Sequence, residues 1–393
     1  MSMKKILLCC LLLSFFAANS YAQVVDLFDD DSLSTPNKNE IKTAKPVQDI
    51  ADSQETSESK EVENSDNAGL FSFITKPISL LFSADDKVEK PDGSEETFLE
   101  KSTRQAREGN LEDQMNLAYM YLYGTNGVNQ DFTKAFEFYQ MAAAQNDAIA
   151  LNNLGSLYFN GIGTATDVKK AIEMFAKSAE LGNDNAATNL AFIYLKGGVK
   201  DPERNKIAMD LFLKAADSGN NVAKFMVGYA YYIGFVFEQN YGKAYQLVRS
   251  AAGKDSNLDE AELILAEMYL KGIGTTQNFG KGINAYKAAV QQGNTEAYMK
   301  LADIYAKGKI TPTNVIMAHA LYNIAAVQEE PDAAKYRDAI GTKLKLEELQ
   351  QAQAEAQNFK PKPSELTLFI RRTFGFDIRS YIDMNVLTPK GNK

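Results

Sequence analysis

The chemistry open to this chain is limited by its side chains. His319 is the single histidine among 393 residues, and it lies in the stretch MAHALYNIAA without an acid and a nucleophile beside it. Proton transfer and nucleophilic catalysis require such groups together. The sequence therefore predicts no catalytic residues and no enzyme, while a hydrolase built from two carboxylates that meet in space stays an open alternative.

Metal and phosphate sites also lack the necessary patterns. Asp29, Asp30 and Asp31 form an acidic run without the glycine-turned loop of a calcium site. Gly161 and Gly163 follow a helical pattern rather than a strand, and no Gly-Lys-Ser/Thr sequence follows them as in a phosphate loop. We therefore predict no metal site and no cofactor.

The first 22 residues have the pattern of a secretory signal. Lys4 and Lys5 precede an apolar run, Ile6–Phe16, and Ser20-Tyr21-Ala22 fits the small-x-small cleavage rule. The run is too short to cross about 30 Å of hydrocarbon as a helix. We expect cleavage after Ala22 and export to the periplasm, with outer-membrane association and secretion left open. Membrane contact of the mature chain is then at most peripheral.

Removal of the signal would also remove both cysteines, Cys9 and Cys10. The mature chain would then have neither a disulfide nor a thiolate ligand. Residues 98–393 contain 33 acids and 33 bases, whereas residues 23–97 contain 18 acids and 7 bases. Neither part has the basic footprint that nucleic acid requires, so we predict no nucleic-acid partner.

Residues 23–97 have the composition of a disordered, acidic tether, with few apolar side chains from residue 37 to residue 67. One apolar island interrupts it, GLFSFITKPISLLFS at residues 69–83, and Pro77 divides this island. The sequence leaves three roles open for the island: docking on the folded domain, binding a partner as a linear motif, or lying in a membrane interface.

A tyrosine returns at the same place along the remaining chain, at spacings of 37, 36, 37, 38 and 36 residues. The six positions are Tyr121, Tyr158, Tyr194, Tyr231, Tyr269 and Tyr305. A period this regular predicts a solenoid of repeated units, because each unit buries its apolar face only against its neighbours.

Each repeat is predicted to contain two helices. In the second copy, Ala150, Leu154 and Tyr158 lie on one helical face, and Gly161 ends that helix. Asp167 is suited to cap the next helix, whose apolar face consists of Ala171, Phe175 and Ala179. A small residue recurs in five copies, at Ala150, Ala186, Ala223, Ala261 and Ala297. We expect neighbouring helices to approach closely at this small position.

The copy ALNNLGSLYFNGIGTATDVKKAIEMFAKSAELGNDNA resembles the Sel1-like repeat family, a relative of tetratricopeptide repeats, nearly throughout. The fifth copy matches well but has Ala266 for the usual Gly and Gly282 for the usual Ala, and the fourth lacks the G-x-G. The resemblance covers about residues 113–326.

The resemblance implies an all-α fold, a right-handed α-solenoid of helix-turn-helix repeats with a disordered N-terminal tail. It places about six repeats, from residue 113, within a solenoid of residues 98–326. It also implies capping helices over residues 327–359, which leaves residues 360–393 as a basic and aromatic C-terminal tail. The resemblance also implies protein binding and assembly rather than catalysis, and many relatives in Gram-negative bacteria are, by analogy, exported envelope or host-interaction proteins.

The stretch LFIRRTFGFDIRSYI, Leu368 to Ile382, mixes arginines with phenylalanines. An RNA-stacking ribbon is disfavoured because the chain is expected to be exported. Packing of the aromatic side on the final helices is one interpretation. Docking on an acidic partner or an envelope surface is the other.

In the related tetratricopeptide geometry, the first helix of each pair lines the concave groove. We therefore predict a partner-binding groove lined by Tyr119, Phe159, Phe192, Phe225, Tyr229, Tyr232, Glu267 and Asp303. The aromatic side chains suit an extended peptide or the faces of sugar rings. The expected function is a scaffold or adaptor for an envelope or secreted protein, with glycan binding as the alternative. Burial of the same aromatics in the interior of the superhelix is the structural alternative.

Overall fold

The computed structural model of the protein describes residues 87–89, 95–198, 201–253, 257–374 and 378–387. Of these, the residues up to Lys214 belong to one compact unit and those from Ala215 to a second. The predicted signal, the Asp29–Asp31 run and the apolar island at 69–83 lie outside the described residues. The described fold therefore consists of the repeats and the segments beside them.

A short antiparallel pair of strands precedes the helices. β1 (Lys87–Glu89) pairs with β2 (Glu95–Thr97), and Lys87 lies opposite Thr97. Glu96 is buried and accepts a hydrogen bond of 2.9 Å from Arg104. The prediction that residues 23–97 form a disordered tether is therefore wrong for these two strands, because backbone pairing and an ion pair hold them in place.

The first unit contains a leading helix and the first three helix pairs. Its helices are α1 (Phe98–Arg107), α2 (Leu111–Tyr123), α3 (Phe132–Ala144), α4 (Ala148–Asn160), α5 (Val168–Glu180), α6 (Asp184–Leu195) and α7 (Arg204–Asp217), the last of which ends beyond Lys214. Its core includes Leu117, Met120 and Tyr139, each at most 1% exposed. The unit is therefore a stack of helix pairs around apolar layers.

The second unit contains three further helix pairs and four later helices. They are α8 (Asn221–Ile233), α9 (Tyr241–Ala251), α10 (Asp259–Lys271), α11 (Phe279–Gln291), α12 (Thr295–Lys307), α13 (Val315–Val327), α14 (Ala333–Gly341), α15 (Leu346–Asn358), α16 (Glu365–Phe374) and α17 (Ser380–Leu387). The prediction of an all-α repeat fold is confirmed. Residues 365–374 and 380–387, expected to be a tail, are helical.

The second repeat shows how local signals set the helix ends. Gly161 adopts the left-handed conformation with φ 66° directly after α4, which is the geometry that glycine reaches most easily. Asp167 precedes α5, and its side chain accepts a hydrogen bond from the backbone N–H of Lys170 at 2.9 Å. Both predicted boundaries are confirmed.

Small residues let the helices approach closely. The five repeated alanines, Ala150, Ala186, Ala223, Ala261 and Ala297, are all 0% exposed. A Cβ atom added at Gly155 would lie 3.0 Å from the ring of Phe175, which fills the space that glycine leaves. The expectation that neighbouring helices approach closely at the repeated alanines is confirmed.

A lysine lies over the repeated tyrosine in four repeats. The distances from Nζ to the ring centroid run from 4.9 to 5.5 Å, for Lys134 and Tyr121, Lys170 and Tyr158, Lys243 and Tyr231, and Lys281 and Tyr269. Such cation–π contacts contribute about 0.5–1 kcal/mol each at exposed sites. The contact accounts for the lysine that recurs in the first turn of the second helix.

The second glycine of the G-x-G loop contacts the preceding repeat. A Cβ atom added at Gly274 would lie 2.1 Å from the backbone oxygen of Tyr241, and the φ of Gly274 is +71°. At Gly280, on α11 of the same repeat, the nearest atom would be Asn278 Oδ1 at 3.5 Å. An added methyl group would therefore clash at Gly274 and fit at Gly280, so the two glycines can be compared directly.

We predict that Gly274→Ala lowers the free energy of unfolding by about 2 kcal/mol or more, from backbone strain and the clash with Tyr241. Gly280→Ala should leave it unchanged or raise it by up to about 1 kcal/mol, because alanine favours the helix. Urea unfolding of the full chain, followed by circular dichroism, measures both. Equal stability of the two variants would contradict the proposed role of the loop glycine.

Candidate functional site

The second unit carries acidic side chains at the start of two neighbouring first helices. Glu260 on α10 and Glu296 on α12 hold the same repeat position, directly before the repeated alanine, and Asp259 precedes Glu260. Repeats two to four carry Ile149, Asn185 and Val222 at this position. We call Tyr229, Asp259, Glu260 and Glu296 the docking face, because a later part of the chain covers them.

The covering part is the C-terminal segment, described at residues 360–374 and 378–387. Its Arg371 donates through one terminal guanidinium nitrogen to Asp259 Oδ2 at 2.6 Å, and the two side chains are 13% and 3% exposed. Asn294 Nδ2 donates to the same carboxylate oxygen at 3.1 Å. The carboxylate of Asp259 is thus buried with two donors.

Thr367 of the C-terminal segment caps α10 from outside. The first helices of the other five repeats begin after Asn or Asp caps, at Asn110, Asp147, Asn183, Asn220 and Asn294. Leu258 occupies that place before α10 and gives no side-chain cap. Instead, the hydroxyl of Thr367 accepts a hydrogen bond from the backbone N–H of Asp259 at 3.3 Å. The same hydroxyl donates a hydrogen bond to Gln292 Oε1 at 2.7 Å. Thr367 is 0% exposed, so this cap is buried.

Arg379 bridges two repeats. Its Nε lies 2.7 Å from Glu260 Oε2, and one terminal nitrogen donates to Glu296 Oε2 at 2.8 Å. The guanidinium carbon is 5.9 Å from the ring centroid of Tyr229, whose hydroxyl donates to Asp383 Oδ1 at 2.9 Å. A planar guanidinium can pair with two carboxylates at once, which a lysine ammonium does less well.

The C-terminal segment is also anchored where it begins. The backbone N–H of Lys362 donates to the carbonyl of Gln291 at 2.6 Å. Ser364 Oγ donates to the carbonyl of Asn257 at 3.0 Å, and it accepts from the backbone N–H of Thr367 at 3.0 Å. Ser364 therefore caps α16 and fixes its entry onto the docking face.

A cleft of about 440 Å³ opens beside the two arginines. Its walls include Thr295, Met299, Lys300 and Glu330 in addition to the ion-paired side chains. The walls of the cleft beside the C-terminal segment therefore carry both positive and negative side chains.

Three predicted groove aromatics are buried. Phe192 is 1% exposed and meets Phe212 edge to face, with ring centroids 5.0 Å apart. Phe225 is 0% exposed and stacks on Tyr229, which is 7% exposed. These three rings are therefore buried, as the structural alternative expects, because neighbouring rings and, for Tyr229, the C-terminal segment cover them.

Tyr232, Glu267 and Asp303 lie half-buried in a polar cluster of the second unit. The Tyr232 hydroxyl donates to Glu267 Oε2 at 3.4 Å, and burial followed by the Glu267 charge raises the pKa of Tyr232 to about 12. Burial alone would raise the pKa of Glu267, but Lys271 and Lys300 outweigh it and hold that pKa below its usual value. Asp303 accepts hydrogen bonds from Lys307 and Tyr322.

Tyr119 and Phe159 belong to the first unit. The ring centroids of Tyr119 and Tyr123 are 4.7 Å apart, and Lys196 Nζ lies 5.9 Å from the ring centroid of Phe159. Both predicted residues are half-buried. Partner contact by any of the eight predicted residues stays a prediction.

His319 is buried, at 4% exposure. Burial lowers the pKa of His319, and the positive charge of Arg337 lowers it further. Among the described residues, no group of three or more His, Cys, Asp or Glu side chains could hold a metal ion. No helix in the described part of the chain has the length and apolarity to cross a membrane.

Sequence reasoning missed the residues that form the docking contacts. They are Asp259, Glu260, Glu296, Thr367, Arg371 and Arg379. Two signals were available: Leu258 in place of a polar cap, and arginines that suit an acidic partner. The acidic surface that the arginines meet belongs to repeats five and six of the same chain, not to the final helices.

Comparison with known protein families matches the chain to the Sel1 repeat. The matched residues are 111–147, 148–183, 184–220, 221–256, 259–294 and 295–328. These six stretches cover more than half of the chain and coincide with the six helix pairs.

Individual proteins are similar over parts of the chain. HRD3B of Arabidopsis thaliana, an ERAD-associated E3 ubiquitin-protein ligase component, is 30% identical over 122 residues, which are 30% of this chain and 19% of that protein. A Sel1 repeat protein from Oxalobacter formigenes is 27% identical and covers 61% of this chain and 91% of its own, with a TM-score of 0.51. The protective antigen c5321 of uropathogenic Escherichia coli is 22% identical over 75% of this chain and 67% of its own, with a TM-score of 0.47. The match thus spans about a fifth of the curated relative.

We predict that Arg379→Ala lowers the free energy of unfolding by about 1–3 kcal/mol, because two charge pairs, one of them hydrogen-bonded, are lost together. Combined with Glu296→Ala, the two losses should be less than additive by at least about 0.5 kcal/mol. The exposed Lys335, 3.9 Å from Asp332, provides the control, and Lys335→Ala should change stability by less than about 0.5 kcal/mol. Denaturant unfolding of all four variants tests this, and strictly additive losses would refute the Arg379–Glu296 pair.

Proposed function

The chain belongs to the Sel1 repeat family, and on that premise we propose that it is an exported scaffold that binds a protein partner through its repeats. Sel1 repeat proteins generally mediate protein–protein interaction. Stacked helix pairs suit this role, because each repeat adds one more helix end and one more helix face to a continuous surface.

The docking face is the observation that carries this proposal. It holds a separate segment of polypeptide with arginine–carboxylate pairs of 2.6 to 2.8 Å and with a threonine cap. Charge-assisted pairs of this length give a surface both affinity and orientation. A repeat surface that recognises helical polypeptide in this way is equipped to bind a protein.

We place the mature protein in the cell envelope, in the periplasm or at its surface. The support is the run of Lys4 and Lys5, the apolar stretch 6–16 and the cleavage pattern ending at Ala22. A mature chain without cysteine suits an oxidising compartment, since it has no thiol to oxidise.

We also propose that the protein has no catalytic activity of its own. The Sel1 repeat scaffold is typically non-catalytic. The sequence has a single histidine and lacks a nucleophile–base set. Glycan binding is the weaker alternative, because Phe225, one of the rings expected to stack on sugars, is fully buried.

The location is tested by fractionation and N-terminal sequencing of the protein from its own cells. We predict a mature chain that begins at Gln23 and is released with the periplasmic fraction. A chain that keeps Met1 and stays with the cytosol would contradict export. Replacement of Lys4 and Lys5 by Glu should block processing, because the signal needs a positive n-region.

Partner binding is tested by crosslinking intact cells that express the tagged full chain and identifying the captured proteins by mass spectrometry. We predict one or a few proteins that also bind the purified full chain, with an affinity that drops at least about tenfold for Glu260→Lys with Glu296→Lys. Glu112→Lys is the matched control, since Glu112 holds the same repeat position in the first repeat and is exposed. If no captured protein binds the purified chain, the scaffold proposal fails.

A further inference from the structure

We propose that the docking face recognises a basic helical segment of the partner, and that the chain's own C-terminal segment is a resident occupant which the partner must displace. This inference rests on the proposed scaffold function and adds to it the chemistry of the partner and a control on access. The partner segment is defined by two arginines spaced like Arg371 and Arg379, eight positions apart.

The docking face prefers an occupant with two arginines because it contains two carboxylate sites of different geometry. Asp259 takes a single guanidinium at 2.6 Å, while Glu260 and Glu296 together take a second at 2.7 and 2.8 Å. Glu260 and Asp259 have side chains only 2% and 3% exposed, so an uncharged occupant would leave them desolvated without a cation. The face therefore favours an occupant with arginine at both places.

A third contact fixes the direction of the occupant. The hydroxyl of Thr367 replaces the missing cap of α10 and lies four positions before Arg371, one turn earlier along α16. Tyr229 lies beyond Arg379 and donates to Asp383 at 2.9 Å. An occupant of the whole face thus carries, in order, a hydroxyl or other cap, an arginine, a second arginine and an acceptor.

Release of the occupant would expose Ile370, Ile378 and Ile382, each at most 1% exposed in the bound segment, but it would leave no carboxylate stranded inside the apolar core. Asp259, Glu260 and Glu296 lie in the first turns of α10 and α12, where the helix dipole favours a negative charge. When the segment leaves, water reaches these carboxylates, and Asn294 still donates to Asp259. A release that ends in hydrated carboxylates is far less costly than breaking a pair inside the apolar core.

Attachment to the same chain gives the resident segment an advantage. It is joined to α15 through Phe359–Pro363, so its effective concentration at the face is of the order of millimolar for a short connection. An external segment of equal intrinsic affinity therefore binds the intact chain weakly. Loosening the resident segment should uncover the intrinsic affinity.

The test uses a fluorescent peptide of residues 360–393 as the probe and full chains as receptors. The receptors are the wild type, a chain with a loosened segment (Arg371→Ala with Arg379→Ala), and the loosened chain with Glu260→Gln and Glu296→Gln added. We expect the loosened chain to bind the probe at least about tenfold more tightly than the wild type. The added glutamines, and a probe with both arginines changed to alanine, should each abolish this gain.

Circular dichroism shows that each receptor retains its helices, so that loss of binding is not loss of fold. Equal binding of the probe by the wild-type and loosened chains would overturn the inference, and so would binding that ignores the arginines. A wild-type chain that dimerises by exchanging C-terminal segments at the concentrations of the titration would also overturn it, because the occupant would then belong to a second copy.

The titration needs no natural partner, so its outcome is separate from that of the proposed function. If the probe behaves as expected while no cellular protein binds the purified chain, the scaffold proposal fails and the resident segment stands. If a cellular partner binds wild-type and loosened chains equally well, the scaffold stands and the inference is wrong.

Discussion

The structure depends on the close approach of helices at small residues. The repeated alanines are completely buried, and Gly155 leaves room for the ring of Phe175. The fifth repeat keeps the same space by a different choice: Ala266 replaces the usual glycine, while Gly282 replaces the usual alanine and accommodates Leu270, which would lie 2.6 Å from an added Cβ. Total volume at the contact is thus preserved although the two residues have changed places.

The close contact between helices at small residues sets the repeat period, and the period determines where charged side chains of successive repeats lie. Within the second unit, helices that stack in the same way bring equivalent side chains to the same edge. Glu260 and Glu296 are 36 residues apart in sequence, yet one arginine pairs with both. Repetition thus brings Glu260 and Glu296 side by side. The two carboxylates together suit a planar guanidinium, which gives the edge its preference for arginine.

The local structure could be predicted from the sequence, because its signals lie within a few residues of their effects. Gly161 and Asp167 end and begin their helices where the pattern indicates. The docking face could not be predicted, because Thr367 meets Asp259 across 108 residues and no periodic pattern specifies such a contact. The sequence left burial of Phe192 as an alternative and could not decide it, because helical spacing identifies a face of a helix but not what covers that face.

The contact between the C-terminal segment and the docking face of its own repeats supports both proposals. The most direct measurement replaces Tyr229 by the photocrosslinking residue p-benzoylphenylalanine in the full chain, irradiates it at dilute concentration and maps the product by mass spectrometry. The Arg379 guanidinium carbon lies 5.9 Å from the Tyr229 ring centroid, and Asp383 Oδ1 lies 2.9 Å from the Tyr229 hydroxyl. We expect an intramolecular crosslink to the peptide that contains Arg379 and Asp383. An unlinked chain, or a crosslink only to a second molecule, would contradict it.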